Sequence, residues 1–326
     1  MRISGVSSTA REAGSQPHPD GWGCGRWRGA TRVKSGFVAV AGRPNVGKST
    51  LVNALVGTKV SIVSDKPQTT RFAIHGVMNG EGYQVVFTDT PGYHKPRSPL
   101  GERLNRRVEE SVQDVDAVML VVDASGAGVG HGDAFVAQQE VIPFAGTRIC
   151  VVNKVDRLSH RDVVPQLAKA AELADFDHIL PISARTGEGL DAVREVIVAA
   201  TPQGPALFPP GEATDLPLER RIEEVIREKA LALTREEIPH SIAVRLEELS
   251  RDSETGFVTL SCDVLVERVS QKGIVIGKGG QMLGTIGTQA RQELETLLGA
   301  RVHLELRVKV LKDWQRDPVA IARLGL

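Results

Sequence analysis

Gly42-Arg43-Pro44-Asn45-Val46-Gly47-Lys48-Ser49 reads G-x-x-x-x-G-K-S, the spacing of a phosphate-binding loop. The run before it, Phe37-Val38-Ala39-Val40-Ala41, is short and apolar, as a buried strand would be. The run after it, Thr50-Leu51-Val52-Asn53-Ala54-Leu55-Val56, sets apolar residues at helical spacing. Strand, loop and helix in that order are the context the motif needs. Gly42 and Gly47 let the main chain curl with its N–H groups pointing inward, and the helix start adds its dipole. Lys48 is expected to reach the β- and γ-phosphates of a nucleotide, and Ser49 to ligate Mg²⁺. Arg43, Pro44, Asn45, Val46 and Thr50 complete the expected cradle.

Downstream, Ser64 to Arg71 is polar, contains Pro67 and has no period, so it reads as a loop. Within it Thr70 is the candidate to meet Mg²⁺ when a γ-phosphate is present, with Thr69 as the fallback. Gln84-Val85-Val86-Phe87-Thr88-Asp89 is an apolar strand ending in an acid, followed by Thr90-Pro91-Gly92. Asp89 at such a strand end can hold Mg²⁺ through water, and the Gly92 N–H can bond the γ-phosphate and sense its loss.

Ala117 to Asp123 reads as another buried strand, and so does Ile149 to Val152, which runs into Asn153-Lys154-Val155-Asp156. N-K-x-D has a chemical meaning. One carboxylate accepts from both guanine N1–H and the 2-amino group, a pair that adenine lacks. Asp156 is assigned that role, Asn153 braces the site, and the Lys154 stem covers the base. Rejection of adenine follows from the unpaired buried polar groups it would leave. Ile179-Leu180-Pro181-Ile182-Ser183-Ala184 closes the series, with the Ala184 N–H expected on guanine O6. Repeated strand, loop and helix predict an α/β P-loop fold with a doubly wound, mostly parallel sheet and a GTP/GDP site at its carboxyl edge.

Tyr93 stands where small GTPases of the Ras kind carry a glutamine that orients the attacking water. Slow intrinsic hydrolysis is therefore expected. Asn45 has two readings: recruitment of K⁺ beside the phosphates, or support of the loop itself.

Thr201 to Pro217 holds Pro202, Pro205, Pro209, Pro210 and Pro217 and reads as a semi-rigid linker. A charged helical run, Leu218 to Glu237, follows. Alternation predicts half-buried strands over Ser241–Leu249, Val258–Val266 and Val302–Val310. Before the last of these sits Gly277-Lys278-Gly279-Gly280, then a helix with Ile286, Ala290, Leu294 and Leu297 on one face. G-x-x-G between two short helices on a three-stranded sheet is the plan of a KH domain, here an α+β domain of type II. Its glycine loop clamps a single-stranded nucleic-acid backbone. Lys278, Lys272 and Arg291 are the candidate phosphate ligands. Arg268 to Arg291 contains no acid.

Lys+Arg and Asp+Glu are 40 each, so net charge points to no partner class. Cys24, Cys150 and Cys262 stand far apart in no metal-ligand spacing, and the last two fall in apolar runs. No stretch approaches the roughly 18 apolar residues of a membrane span. Residues 1–34 are rich in Gly, Ser, Arg and Trp without period. A disordered tail, a basic RNA-contacting arm and a misassigned start codon all fit them, and a disordered or artefactual extension is preferred. The expected division is residues 35–200 for the nucleotide domain, 201–217 for the linker and 218–326 for the KH domain.

One GTPase domain, a Pro-rich linker and a C-terminal KH domain together resemble the bacterial Era family of ribosome-assembly GTPases. The closest local matches are Gly42 to Thr50, Pro67-Gln68-Thr69-Thr70-Arg71, Asp89-Thr90-Pro91-Gly92 with His94-Lys95-Pro96, and Gly277 to Gly280. The resemblance runs from about Ser35 to the C-terminus. It implies hydrolysis of GTP, binding near the 3′ end of 16S rRNA and a role in maturing the small (30S) ribosomal subunit. It also implies a monomer in the cytoplasm with peripheral association to the inner membrane. Tyr93 departs from the aliphatic residue usual there, and the N-terminal extension is outside the family pattern. The alternative to an enzyme is an RNA-binding module that uses GTP as a ligand with little turnover.

Overall fold

The computed structural model describes residues 32–64, 66, 69, 74–89, 115–234 and 238–324. Thr70, Thr90, Pro91, Gly92 and Tyr93 lie outside the described residues.

Seven strands form the first sheet: β1 (Val33–Ala41), β2 (Ile74–Gly80), β3 (Tyr83–Asp89), β4 (Ala117–Asp123), β5 (Thr147–Asn153), β6 (His178–Pro181) and β7 (Gln203–Gly204). The order is β2-β3-β1-β4-β5-β6. The β3-β1-β4-β5-β6 pairings are parallel, and β2 lies antiparallel on β3. The apolar runs are continuous because both faces of these strands are covered. Val38 and Val40 point into one core with Leu51, Phe87, Val121 and Ile149. Ala39 and Ala41 point into another with Leu120, Val122, Val136 and Val152. Helix α1 (Lys48–Val56) leaves β1 through the phosphate loop. Since β1 is followed in space by β3 on one side and β4 on the other, the loop opens at the point where strand order reverses. Ligands of such sheets bind there.

The Pro-rich stretch after Ala200 is laid along this sheet rather than spanning open solvent. β7 pairs antiparallel with Val33 and Lys34, before β4 begins its own pairing at Val38. Gln84, 3% exposed, accepts from Leu207 N and Phe208 N at 2.7 and 2.8 Å and donates to Phe208 O at 3.0 Å. Val77 N donates to Ala213 O, and His75 meets Asp215 at 2.6 Å. A buried glutamine needs all its partners, and a proline-rich chain with free carbonyls provides them. Spacing alone does not reveal this.

The second sheet holds β8 (Ala243–Arg251), β9 (Val258–Val266) and β10 (Val302–Val310) in the order β10-β9-β8. β9 runs parallel to β10 and antiparallel to β8, as a type II KH domain requires. The charged helix ends at Leu233, capped by Thr234, short of the Glu237 expected from its periodicity. β9 also departs from the half-buried expectation, for among its residues only Thr259 is not buried. One face meets Ile286, Ala290 and Leu294. The other is roofed by Trp314, Ile321 and Leu324, which pack on Ala243 and Leu265. Trp314 Nε1 donates to Ser241 O at 3.0 Å. Asp263, 1% exposed on that face, is neutralised by Lys309 at 2.6 Å. Cys150 and Cys262 are both fully buried, and burial pushes their thiols up to about 12. They are core residues, as their apolar runs suggest.

Helix Leu218–Leu233 ties the two sheets together. Glu228 accepts from Lys59 at 2.5 Å, from Lys229 at 2.7 Å and from the Val63 N–H at 2.9 Å. Glu293 binds the same two lysines. Arg227, nearly buried, pairs with Glu224 at 2.7 Å and donates to Thr69 O. The chain leading towards Thr70 is thus held by the helix that opens the second half of the protein. Among the described residues no helix is long and apolar enough to cross a membrane.

Candidate functional site

Gly47 sits at φ 103°, in a conformation that favours glycine, and a Cβ there would lie 2.3 Å from Asn153 Nδ2. That close approach carries the architecture of the site. Asn153, 2% exposed, donates from Nδ2 to Val46 O at 2.8 Å. The last residue of β5 therefore clips the phosphate loop to the base-side motif. The Lys154 ammonium crosses to the same loop, donating to Asn45 O at 2.7 Å and pairing with Asp123 at 2.5 Å. Both Asn45 and Lys154 have positive φ, 66° and 68°, an uncommon backbone state for side-chain-bearing residues. Lys48 is 6% exposed, and its Nζ donates to Gly42 O at 2.9 Å and Arg43 O at 3.2 Å. Its charge is arched over the loop's own carbonyls. The loop fits a phosphate chain: a glycine cradle that a Cβ would fill, a buried cation at its mouth and a helix start beneath.

Ser49 is the second residue of α1, directly after Lys48, and Asp89 closes β3, next to β1. The structure places both at the carboxyl edge of the sheet. Of the metal-ligand set Ser49, Thr70 and Asp89, Thr70 falls outside the described residues, as does the catalytic candidate Gly92. Arg43, though in the loop, points its guanidinium away to Asp133, whose carboxylate is fully buried 2.7 Å off.

Asp156 stands one 3₁₀ turn beyond β5. Ser183 Oγ donates to its Oδ1 at 2.6 Å, and Arg185 pairs with its Oδ2. The Ser183 bond first, then the Arg185 guanidinium, hold this carboxyl below the usual carboxylate range despite partial burial. It is an ionised acceptor at neutral pH, as a reader of two N–H donors must be. The Ala184 N–H, the expected donor to guanine O6, donates to Asn153 Oδ1 at 3.0 Å. That oxygen also accepts the Lys154 N–H at 2.8 Å, so the Asn153 side chain ties residues 153–156 to the 183–184 turn.

Sequence motifs do not single out Asp123, Asp133 or Arg185. Asp123 carries a usable signal, an acid at the carboxyl end of a buried strand in register with Asn153. The other two depend on tertiary approach.

The second site lies on the KH-like half. Helix Val269–Ile276 ends at Gly277, whose φ of 73° favours glycine and whose Cβ would lie 2.7 Å from Met282 Cβ. Lys278 and Gly279 are exposed at the tip. A groove of about 340 Å³ runs from Gly280 past Gly284, Gly287 and Arg291, floored by Leu304 and Leu306. The structure thus brings Gly280 and Arg291 to one groove, with Lys278 on the exposed tip two residues before Gly280. Lys272 stands on the preceding helix, outside the lining of that groove. Arg291 is paired with Glu295 at 3.1 Å.

A phosphate-loop domain with N-K-x-D base recognition, joined to a KH domain, defines the class: a GTPase built to work with RNA. Residues 37–154 match the family described as 50S ribosome-binding GTPase, and residues 237–315 match the KH domain family. The chain is 48% identical to GTPase Era of Mycobacterium tuberculosis (strain H37Rv) over 90% of its own length and 99% of that protein's. The GTPase Era of Mycobacterium sp. (strain KMS) is 47% identical over the same shares. Among solved structures, Era in complex with MgGDPNP and nucleotides 1506–1542 of 16S ribosomal RNA superposes with a TM-score of 0.86 at 40% identity. A variant of Aquifex aeolicus Era bound to GDP and AlF4⁻ gives the same values. Each alignment covers 90% of this chain and 99% of the other. The chain belongs to the GTPase Era family.

Proposed function

We propose that this protein binds GTP with Mg²⁺ at residues 42–50, hydrolyses it to GDP and phosphate, and couples that cycle to binding of the 3′ region of 16S rRNA during maturation of the 30S subunit. The observation that carries the nucleotide reading is the clip between Asn153 and Val46 O, which joins base recognition to the phosphate loop in one rigid unit. Lys48 offsets negative charge on the β- and γ-phosphates, and Ser49, Thr70 and Asp89 are the proposed Mg²⁺ ligands, the metal supplying charge stabilisation there. Gly92 is the proposed sensor of the γ-phosphate. Thr90 and Pro91 beside it in sequence are proposed nucleotide-site residues, as are Pro44 and Thr50 in the loop and Ser183 and Ala184 at the base pocket. The proposed division remains residues 35–200 for GTP, 201–217 for the connection and 218–326 for RNA.

The RNA reading is supported by the glycine tip and by the Era structure solved with a 16S fragment. It is tested with Lys278→Asp combined with Gly279→Asp. A Cβ on Gly279 meets no neighbour within 4 Å, but its φ of 59° strains a side-chain-bearing residue there, so a thermal melt of the variant accompanies the binding assay, and Lys278→Asp alone repeats the test without that strain. RNA affinity is expected to fall on the order of 10²-fold at moderate salt, and the log–log salt slope should flatten by roughly 0.7 for every phosphate no longer neutralised. GTP binding should persist. Unchanged affinity and slope for a 3′ fragment of 16S rRNA, measured by fluorescence anisotropy, would remove the tip from the RNA interface.

Asn45 supports a finer proposal, recruitment of K⁺ beside the phosphates. Replacing Na⁺ by K⁺ should raise the GTPase rate several-fold. Equal rates in the two salts, or an Asn45→Ala protein that keeps the K⁺ effect, dispose of the idea. The family resemblance further supports a cytoplasmic monomer that touches the inner membrane from that side, an association a vesicle flotation assay reads directly.

A further inference from the structure

Arg185 follows Ala184 at the base pocket, and its guanidinium pairs with Asp156 Oδ2. Both oxygens of this carboxylate are thereby engaged, since Ser183 Oγ holds Oδ1. The Ser183 hydroxyl is fixed in that role because its oxygen accepts the Thr186 N–H at 3.2 Å. The Asp156 side chain is only 10% exposed, whereas Arg185 is 68% exposed. The arginine head is the exposed partner of a nearly buried carboxylate, bound to the oxygen that Ser183 leaves open. A guanidinium presents N–H donors to a carboxylate in the same flat, forked way as the N1–H and 2-amino edge of guanine.

We propose that Arg185 is a specificity-site competitor: it occupies the Asp156 carboxylate whenever guanine does not, and so sets the nucleotide association rate. This rests on the reading of Asp156 as the guanine acceptor. Guanine and Arg185 exclude one another, so the apparent dissociation constant is the intrinsic one divided by the fraction of protein with Asp156 open. Exposed ion pairs of this kind are weak. The competition is therefore worth roughly two- to six-fold in affinity at low salt. It also screens away, because an exposed pair loosens as the Debye length shrinks.

The test uses the full chain and GDP with a fluorescent ribose label, followed by stopped flow. Arg185→Ala should raise the association rate roughly two- to six-fold at about 50 mM salt and leave the dissociation rate unchanged. A residue that touched the bound base would change dissociation instead. The ratio of the variant's affinity to that of the unaltered protein should shrink towards one near roughly 1 M salt, a comparison in which the phosphates' own salt dependence cancels. Arg185→Lys, which keeps the charge without the fork, should fall between. Equal or slower association in Arg185→Ala, or faster dissociation, overturns the proposal. Asp156→Asn run in parallel separates the two readings. If it keeps the preference for GDP over ADP, the guanine assignment fails and Arg185 falls with it. If it loses that preference while Arg185→Ala changes nothing, only the competitor role is refuted.

Discussion

Lys48→Ala is expected to lower GTP turnover on the order of 10³-fold, the scale of removing a preorganised charge from a phosphoryl-transfer site. The structure gives the reason. The ammonium is nearly buried and fastened to Gly42 O and Arg43 O, so it is held at the loop mouth before any nucleotide arrives. Charge placed in advance needs no reorganisation as negative charge shifts towards the leaving oxygen. Triphosphate affinity should fall too, whereas base recognition, proposed here for Asp156 and Asn153, should remain. Single-turnover phosphate release from radiolabelled GTP measures the first effect, and competition between GTP and guanosine the second. Because two loop carbonyls lose their donor, a thermal melt must accompany the assay; an intact transition with abolished turnover is the expected pair of results. Turnover at the unaltered rate would refute the phosphate-loop role of Lys48. Arginine is not a neutral replacement here, since a planar fork does not fit a position shaped for a compact ammonium.

The second large effect is a change of base. Asp156→Asn should weaken GTP on the order of 10²-fold and move the XTP-to-GTP preference ratio by about 10³-fold or more, because a site built for particular hydrogen bonds rejects a base that leaves its buried groups unpaired. Xanthine carries a carbonyl where guanine carries its 2-amino group, and an asparagine amide donates to that carbonyl. Ser183 Oγ can still donate to the remaining oxygen, so the side chain keeps its orientation. The new amide nitrogen faces Arg185 donor to donor, which drives the guanidinium off and opens the pocket. Competition of XTP and GTP against a labelled nucleotide reads the ratio directly. Retention of the GTP preference would show that another group reads the base. Nucleotide binding by the Lys278→Asp, Gly279→Asp protein serves as the matching control, since those changes lie on the other sheet's helices.

Much of the site is legible in the sequence because its motifs are local. Gly42 to Ser49, Asn153 to Asp156 and Gly277 to Gly280 each specify a few consecutive backbone conformations and the side chains that follow from them. Their order along the chain, each after an apolar run, is enough for a parallel sheet with the site at its carboxyl edge. The bond from the Ala184 N–H to Asn153 Oδ1 escapes such a reading, because its partner lies 31 residues away. The Pro-rich stretch looks like a spacer because prolines lack a period. Nothing in its own residues shows that Gln84 accepts from Leu207 and Phe208.

By itself, the sequence determined the two folds, the nucleotide class and the two loops that face ligands, since glycines at fixed spacing and the alternation of apolar residues act over a turn or a strand. Only the tertiary structure decided which polar atoms meet. Asn153 reaches Val46 across 107 residues, Arg185 reaches Asp156 across 29, and Lys59 is held by Glu228 and Glu293 from the other half of the chain. The roof of Trp314, Ile321 and Leu324, which buries the second face of β9, is of the same kind. The physical reason is common to all of them. A hydrogen bond or ion pair forms only within about 3 Å, and burial makes an unpaired group expensive. The partner is therefore whichever group packing carries to that point, and packing is a property of the whole chain.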